Sequence, residues 1–336
     1  MIEYWNRWVS FWSELERPEA IAGFRICMGL TLLYTFCSPY FSDAWIPIWV
    51  DATDGGIRHY NNIPWLLDWL GGPTKVGVER LIFLSIVSSI GLIIGLGSRW
   101  MALLGMFTMN TISWHNPMAS GGHDDLIANG LWILFFVTSD ATWSLQSRIQ
   151  NGTWRSATLI PAFARRLLLF QLILMYCSTG LQKISAHWIP FGSMDALWYI
   201  LQQPTWAKQN FEWLAPWFLV TQLATLGTWI FEVFSPLFLV WLFYATPQRM
   251  NRVPSKFQMW MTLPIRPIFM LSGISLHIGI WLTMDVGPFS LAAISYYWTM
   301  LDVRALVETH QPSTSSLKDP TQALLELPES TPSTTL

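Results

Sequence analysis

The chain has 336 residues, of which 52% are hydrophobic and 12% charged, with a formal net charge of −2. Soluble domains carry about 25% charged residues, so this composition leaves too little polar surface for a soluble globular protein and makes the bilayer its solvent. The near-neutral balance also excludes a nucleic-acid partner, which would require a basic face.

The N-terminal segment 1–18 sets Glu3, Arg7, Glu14, Glu16 and Arg17 among several aromatic residues. That pattern predicts an interfacial amphipathic helix rather than a cleavable signal peptide. A crossing needs about 20 mostly apolar residues. Runs meeting that need lie at about 19–38, 78–97, 99–114, 124–140, 165–183, 215–245, 266–284 and 287–305. The expected fold is therefore an all-α integral membrane protein, a bundle of about eight transmembrane helices occupying 19–306 with long outer-face loops. Run 215–245 is too long for one straight crossing and is expected to tilt or break near Pro236. Gly97-Ser98-Arg99 alone joins spans two and three, which predicts a tight hairpin. The first outer connection, about 39–77, carries Trp45, Trp49, Trp65 and Trp69 and is expected to lie along the membrane face as a lid. A tail over 307–336, rich in Pro, Ser and Thr, is expected to be disordered.

Basic residues set the orientation. With the N-terminus in the cytoplasm, that side collects Arg7, Arg17, Arg99, Arg148, Arg155, Arg165, Arg166, Arg249, Arg252, Lys256, Arg266, Arg304 and Lys318. Only Arg58, Lys75, Arg80, Lys183 and Lys208 fall on the other. The asymmetry predicts a multi-pass cell-membrane protein with both termini cytoplasmic.

Ionisable groups inside spans cost several kcal/mol and are candidate functional groups by default. They are Arg25, His123, Asp124, Asp125, Lys183, Glu232, His277 and Asp285. Five of them (His123, Asp124, Asp125, Lys183 and Asp285) fall at the outer ends of spans, with His277 about two turns deeper. An amine taken out of water favours its neutral form, which can act as a base; the alternative for Lys183 is snorkelling to the headgroups. Read singly, His277 is also a candidate hydrogen-bonded core residue, and Asp124 and Asp125 suit the positive end of a helix. Arg25 and Glu232 are a candidate structural pair across the bundle. Cys27, Cys37 and Cys177 lack CxxC spacing, and no two histidines stand at ligand spacing, so no metal site is expected. HExxH, Walker and GxSxG motifs are absent as well.

One block carries a family resemblance. Tyr176-Cys-Ser-Thr-Gly180-Leu-Gln-Lys183-Ile-Ser-Ala-His-Trp188, followed by Gly192-Ser193-Met194, resembles the central signature of the HTTM (horizontally transferred transmembrane) family. Ser113-Trp114 with His123 and Leu126 is similar to that family's fourth-span entry. Glu232 with Phe234-Ser235-Pro236-Leu237 is like its Glu-x-x-Phe-Pro element, and Ser275-Leu276-His277 resembles its histidine-bearing span. The vitamin K-dependent γ-glutamyl carboxylase typifies the family, and its matching lysine deprotonates vitamin K hydroquinone. The resemblance thus implies a catalytic set of Lys183 as base with His123 and His277 holding quinone oxygens. Trp114, Asp124, Asp125, Trp188, Glu232 and Arg25 are the surrounding quinone- or substrate-binding candidates. A reduced quinone of the vitamin K or menaquinone type is the implied cofactor, and a peptide or protein on the outer face the implied substrate.

This sequence departs from the carboxylase in having Gln182-Lys183 where that enzyme has paired lysines. It also shows no β-rich propeptide-binding part after span eight. Two other readings therefore compete with quinone-dependent chemistry: a non-enzymatic maturation or export factor of the SdpB type, and a lipid or small-solute transporter. Against the transporter, no inverted repeat is visible.

Overall fold

A computed structural model of the chain describes residues 2–58, 62–156, 158–245 and 254–301. The expected tail, the end of the eighth run, and Arg249, Arg252, Arg304 and Lys318 lie outside the described residues. The described chain is almost wholly helical, with one two-stranded ribbon pairing Leu15 with Pro161 and Glu16 with Ile160. Four helices are long and apolar enough to cross a membrane: Glu19–Phe41, Lys75–Ile94, Ile265–Thr283 and the continuous Glu212–Tyr244 segment.

Helix α1 (Ile2–Ser13) leads into α2 (Glu19–Phe41), the central post of the bundle, where Phe24, Met28, Leu32 and Phe36 are fully buried. Between α2 and α5 (Lys75–Ile94) the contact is made by small residues. A side chain at Gly29 would meet the Ser89 carbonyl at 3.0 Å, and Ser85, Ser88 and Ser89 are fully buried. Apolar tails give no hydrophobic drive between helices in a bilayer, so close backbone approach through small residues does that work. The short helices α3 (Trp45–Trp49) and α4 (Trp65–Trp69) occupy the long connection. Part of this connection is tied down: His115 and Asn116 bond the Trp49 and Ile48 carbonyls.

The tight hairpin is present, with α6 (Ser98–His115) following α5 directly. Gly95 and Gly97 both adopt positive φ, 70° and 57°, which ordinary side chains resist. Helix α7 (Gly122–Phe135) is shorter than the expected 124–140 run, because the chain turns at Ser139–Ser144 to reach α8 (Leu145–Asn151). Helix α9 (Phe163–Gln182) carries the signature block, and α10 (Ala196–Leu201) lies in the connection after it.

Of the two alternatives for run 215–245 the break is not seen, and the helical extent expected for run 287–305 is corrected. Helix α11 (Phe218–Tyr244) runs unbroken through Pro236. Proline removes the N–H that would bond the Glu232 carbonyl, and the Ser235 hydroxyl donates to that carbonyl instead, at 2.8 Å. Its 27 residues, at about 1.5 Å each, exceed the ~30 Å hydrocarbon thickness, the condition under which a span tilts. After α12 (Ser255–Met261) and α13 (Ile265–Thr283), run 287–305 is not one long helix. It folds as the short α14 (Phe289–Tyr296) and then a 3₁₀ turn, Tyr297–Met300. Two glycines explain the change, since Tyr297 packs its hydroxyl on Gly273 and Trp298 lays its ring on Gly23.

Candidate functional site

Gly180 determines what the signature block builds. A side chain there would stand 2.8 Å from both the Glu232 Cβ and the Val233 backbone nitrogen. Only glycine lets α9 and α11 touch at this level, and the contact sets Glu232 beside the residue three positions on. The Lys183 amine forms an ion pair with the Glu232 carboxylate. Lys183 caps the end of α9 with its side chain 20% exposed, while Glu232 is 7% exposed. The Trp188 ring lies over the amine, 4.9 Å from its centroid, a cation–π contact that holds the ammonium without removing its solvent access.

Two turns earlier on α9 a buried hydroxyl network begins. Tyr176 shares hydrogen bonds with His277 Nε2 on α13 at 2.6 Å and with the Tyr297 hydroxyl at 2.8 Å. Phe231 packs edge-on to Tyr176, and Phe289 packs against His277. His277 is 1% exposed, and its Nδ1 is buried without a hydrogen-bond partner among the described residues. A buried unpaired nitrogen costs about 1–3 kcal/mol, which marks it as a position a ligand oxygen or water would satisfy. The Lys183–Glu232 pair and, two turns away along α9, the Tyr176–His277–Tyr297 network make a polar seam through otherwise apolar packing, with no hydrogen bond joining the two groups among the described residues.

The remaining candidates make no hydrogen bond or ion pair with Lys183 among the described residues. His123 Nε2 bonds the Asp124 carboxylate at 2.9 Å, and Asp124 also accepts from the Gly121 N–H in a capping role at the start of α7. Asp125 and Asp285 are exposed, and Trp114 is 66% exposed. Among the described residues, no hydrogen bond or ion pair joins His123 or His277 to Lys183. Arg25 lies elsewhere. Fully buried at the opposite end of the bundle, it donates to the Trp143 carbonyl at 2.7 Å and faces Ser98 Oγ at 3.4 Å. Its guanidinium packs so closely on Gly95 that any side chain there would collide. The candidate Arg25–Glu232 pair is thus replaced by Lys183–Glu232, and Arg25 is not brought to the seam.

Sequence reading passed over Tyr176, Gly180 and Tyr297 as functional positions. The signal for the first two was the signature block itself; Tyr297 lies in an aromatic run indistinguishable from packing.

The architecture and its seam define a membrane-embedded helical bundle with a polar cluster at one end. A match to the HTTM domain family spans residues 15–251, and the chain belongs to that family. Lys183 and Glu232 fall inside the matched stretch, while His277 and Tyr297 lie beyond it. No curated protein and no solved structure matches the chain.

Proposed function

We propose that this HTTM protein crosses the cell membrane eight times with both termini cytoplasmic, and that its outer seam binds a lipid-borne weak acid of the reduced-quinone type, with Lys183 as the base. The observation carrying this reading is the part-exposed Lys183 amine paired to buried Glu232, beside a seam whose His277 Nδ1 lacks a partner. The helix directions support the orientation, since Arg17, Arg99, Arg148, Arg165, Arg166 and Arg266 gather at the end opposite Lys183.

The residues fit such a ligand. His277 Nδ1 offers an unpaired site for a ring oxygen, Lys183 a charge partner for the oxygen that ionises, and Phe231 and Phe289 an apolar wall. A reduced quinone, when bound, would supply an acidic hydroxyl and two-electron chemistry, as in a carboxylase or related oxidoreductase acting on an outer-face peptide. The chain's own part is proton handling. While the shared proton sits on Nζ, the ammonium cannot accept another; when it sits on the Glu232 carboxylate, the amine is free to take the ligand's. Trp188 keeps the amine in place.

A second reading has one observation in its favour: Lys183 and Glu232 already satisfy one another, as structural glue would in a maturation or export factor. Saturable binding of a radiolabelled reduced naphthoquinone to the purified protein, weakened roughly tenfold or more in His277→Ala through the lost polar contact, is expected under the first reading. Absence of saturable binding transfers the conclusion to the second. A reporter fused after Lys318 is expected on the cytoplasmic side, and an outward readout would reverse the faces.

A further inference from the structure

The signature block continues past Lys183 into a turn that the Lys183–Glu232 pair does not explain. The chain curls back so that Ser193 N–H donates to the Ala186 carbonyl at 2.9 Å and Ala196 N–H to the His187 carbonyl at 3.0 Å. Gly192 sits directly on Ala186, where a side chain would stand 1.9 Å from the Ala186 oxygen, and Met194 takes a positive φ of 53°. This strained, glycine-dependent curl is anchored to α11 twice, by Gln222 Nε2 on the Ser193 carbonyl at 2.7 Å and by the Leu197 N–H on Thr225 Oγ1 at 3.2 Å. Its product is a dyad. Asp195, 8% exposed, accepts from His187 Nδ1 at 2.6 Å and from the Ser193 hydroxyl at 2.6 Å. The imidazole itself is 55% exposed, and its Nε2 has no protein partner among the described residues.

A carboxylate on Nδ1 fixes the proton on that nitrogen and leaves Nε2 as the basic lone pair. The groups facing His187 are Asp195 and Ser193 of the same turn and Tyr199 of α10, whose ring packs edge-on at 5.4 Å. The next residue along is Trp188, whose ring covers the Lys183 amine. Glu232, Tyr176 and His277 are all buried, and the part-exposed Lys183 amine lies beneath the Trp188 ring. We infer that His187, oriented by Asp195, is the proton port of the Lys183 site. This rests on the reading of Lys183 as a base. In the step, an Nζ–H bond of the Lys183 ammonium breaks, water carries the proton to His187 Nε2, where an N–H bond forms, and solvent then removes it. Lys183 returns as the neutral amine, and no electrons change hands. Asp195 is a positioning residue.

The test uses the full chain in nanodiscs, mixed rapidly with a reduced naphthoquinone in weakly buffered solution, reading ligand ionisation by ultraviolet absorbance and bulk proton release by a pH dye. In the wild type, both signals are expected together. In His187→Gln, the ionisation amplitude is expected to persist while proton release slows roughly tenfold or more, in keeping with loss of a positioned acid–base group, and free imidazole is expected to restore it. Nitrogen-15 NMR of labelled histidine is expected to show the His187 proton on Nδ1 in the wild type and that preference lost in Asp195→Asn. Unchanged release in His187→Gln with ionisation intact overturns the port and leaves Lys183 standing, as does a wild-type His187 proton on Nε2. No ionisation in the wild type itself overturns the Lys183 reading, and the port with it.

Discussion

The bundle holds a cation at each end, Arg25 buried and Lys183 part-exposed, and the two are held differently. Arg25 is fully enclosed, and its bonded partners are a backbone carbonyl and a hydroxyl, all belonging to connections that must be fixed: the Gly95–Ser98 turn and the Ser139–Ser144 turn. Asp140 lends charge from the same place, with its carboxylate on the Ser98 N–H. Lys183 instead meets a single carboxylate and an aromatic face, keeps part of its surface open, and adjoins a network with an unpaired nitrogen. A cation bonded to backbone behaves as a bolt, whereas one paired to a titratable side chain near solvent can exchange a proton. Intramembrane charge alone does not separate the two; its partners do.

The largest expected effect lies on the bolt. Arg25→Leu strips a buried charged donor from both turns and should cost on the order of 3–5 kcal/mol, read as a lower melting temperature in detergent. An unchanged melting point would erase the contrast between the ends. Lys183→Met combined with Glu232→Gln removes both charges together, so no buried carboxylate is stranded, and about 1 kcal/mol or less should be lost. Lys183→Ala alone is a poorer probe, because Glu232 would then be left unpaired. Gly180→Ala should cost about 1–3 kcal/mol by overpacking the α9–α11 contact and should also disturb the Lys183–Glu232 pair. Tyr297→Phe, removing one hydroxyl from the seam, should cost about 0.5–1.5 kcal/mol.

The smallest effect concerns pH. Burial acts to raise the Asp195 carboxyl, but its hydrogen bonds from Ser193 and His187 outweigh that and hold it below its ordinary value. A depressed carboxyl stabilises the turn above the unfolded value of about 3.9, and that contribution is lost as pH falls through the folded value. Amide exchange at Ser193 and Ala196 should therefore quicken, relative to its intrinsic rate, only on acidification below about pH 4. Quickening between pH 5 and 7 would assign the turn's stability to another group.

Much of this was legible in the sequence because it depends on local pattern. The apolar runs located α2, α5, α11 and α13, and the short Gly97-Ser98-Arg99 join located the hairpin. The signature block drew attention to Lys183 at the end of α9. What failed depended on tertiary partners. Glu232 was matched in the sequence with Arg25, which lies at the opposite end of the bundle, and the close approach at Gly180 sets it beside Lys183 instead. The continuity of α11 through Pro236 hinges on one hydroxyl, from Ser235, reaching one carbonyl. The shortness of α14 follows from two glycines on other helices that receive Tyr297 and Trp298, and no window of local hydropathy contains that information. Tyr176 and Tyr297 read as packing aromatics until their hydroxyls are seen to meet.

We propose that Lys183 accepts a proton and that Arg25 does not. The most direct measurement is an ultraviolet difference spectrum of a reduced naphthoquinone bound to the wild type and to the Lys183→Met, Glu232→Gln double variant. The account predicts the ionised hydroquinone band in the wild type and only neutral ligand in the variant. An ionised band of equal size in both proteins would contradict it.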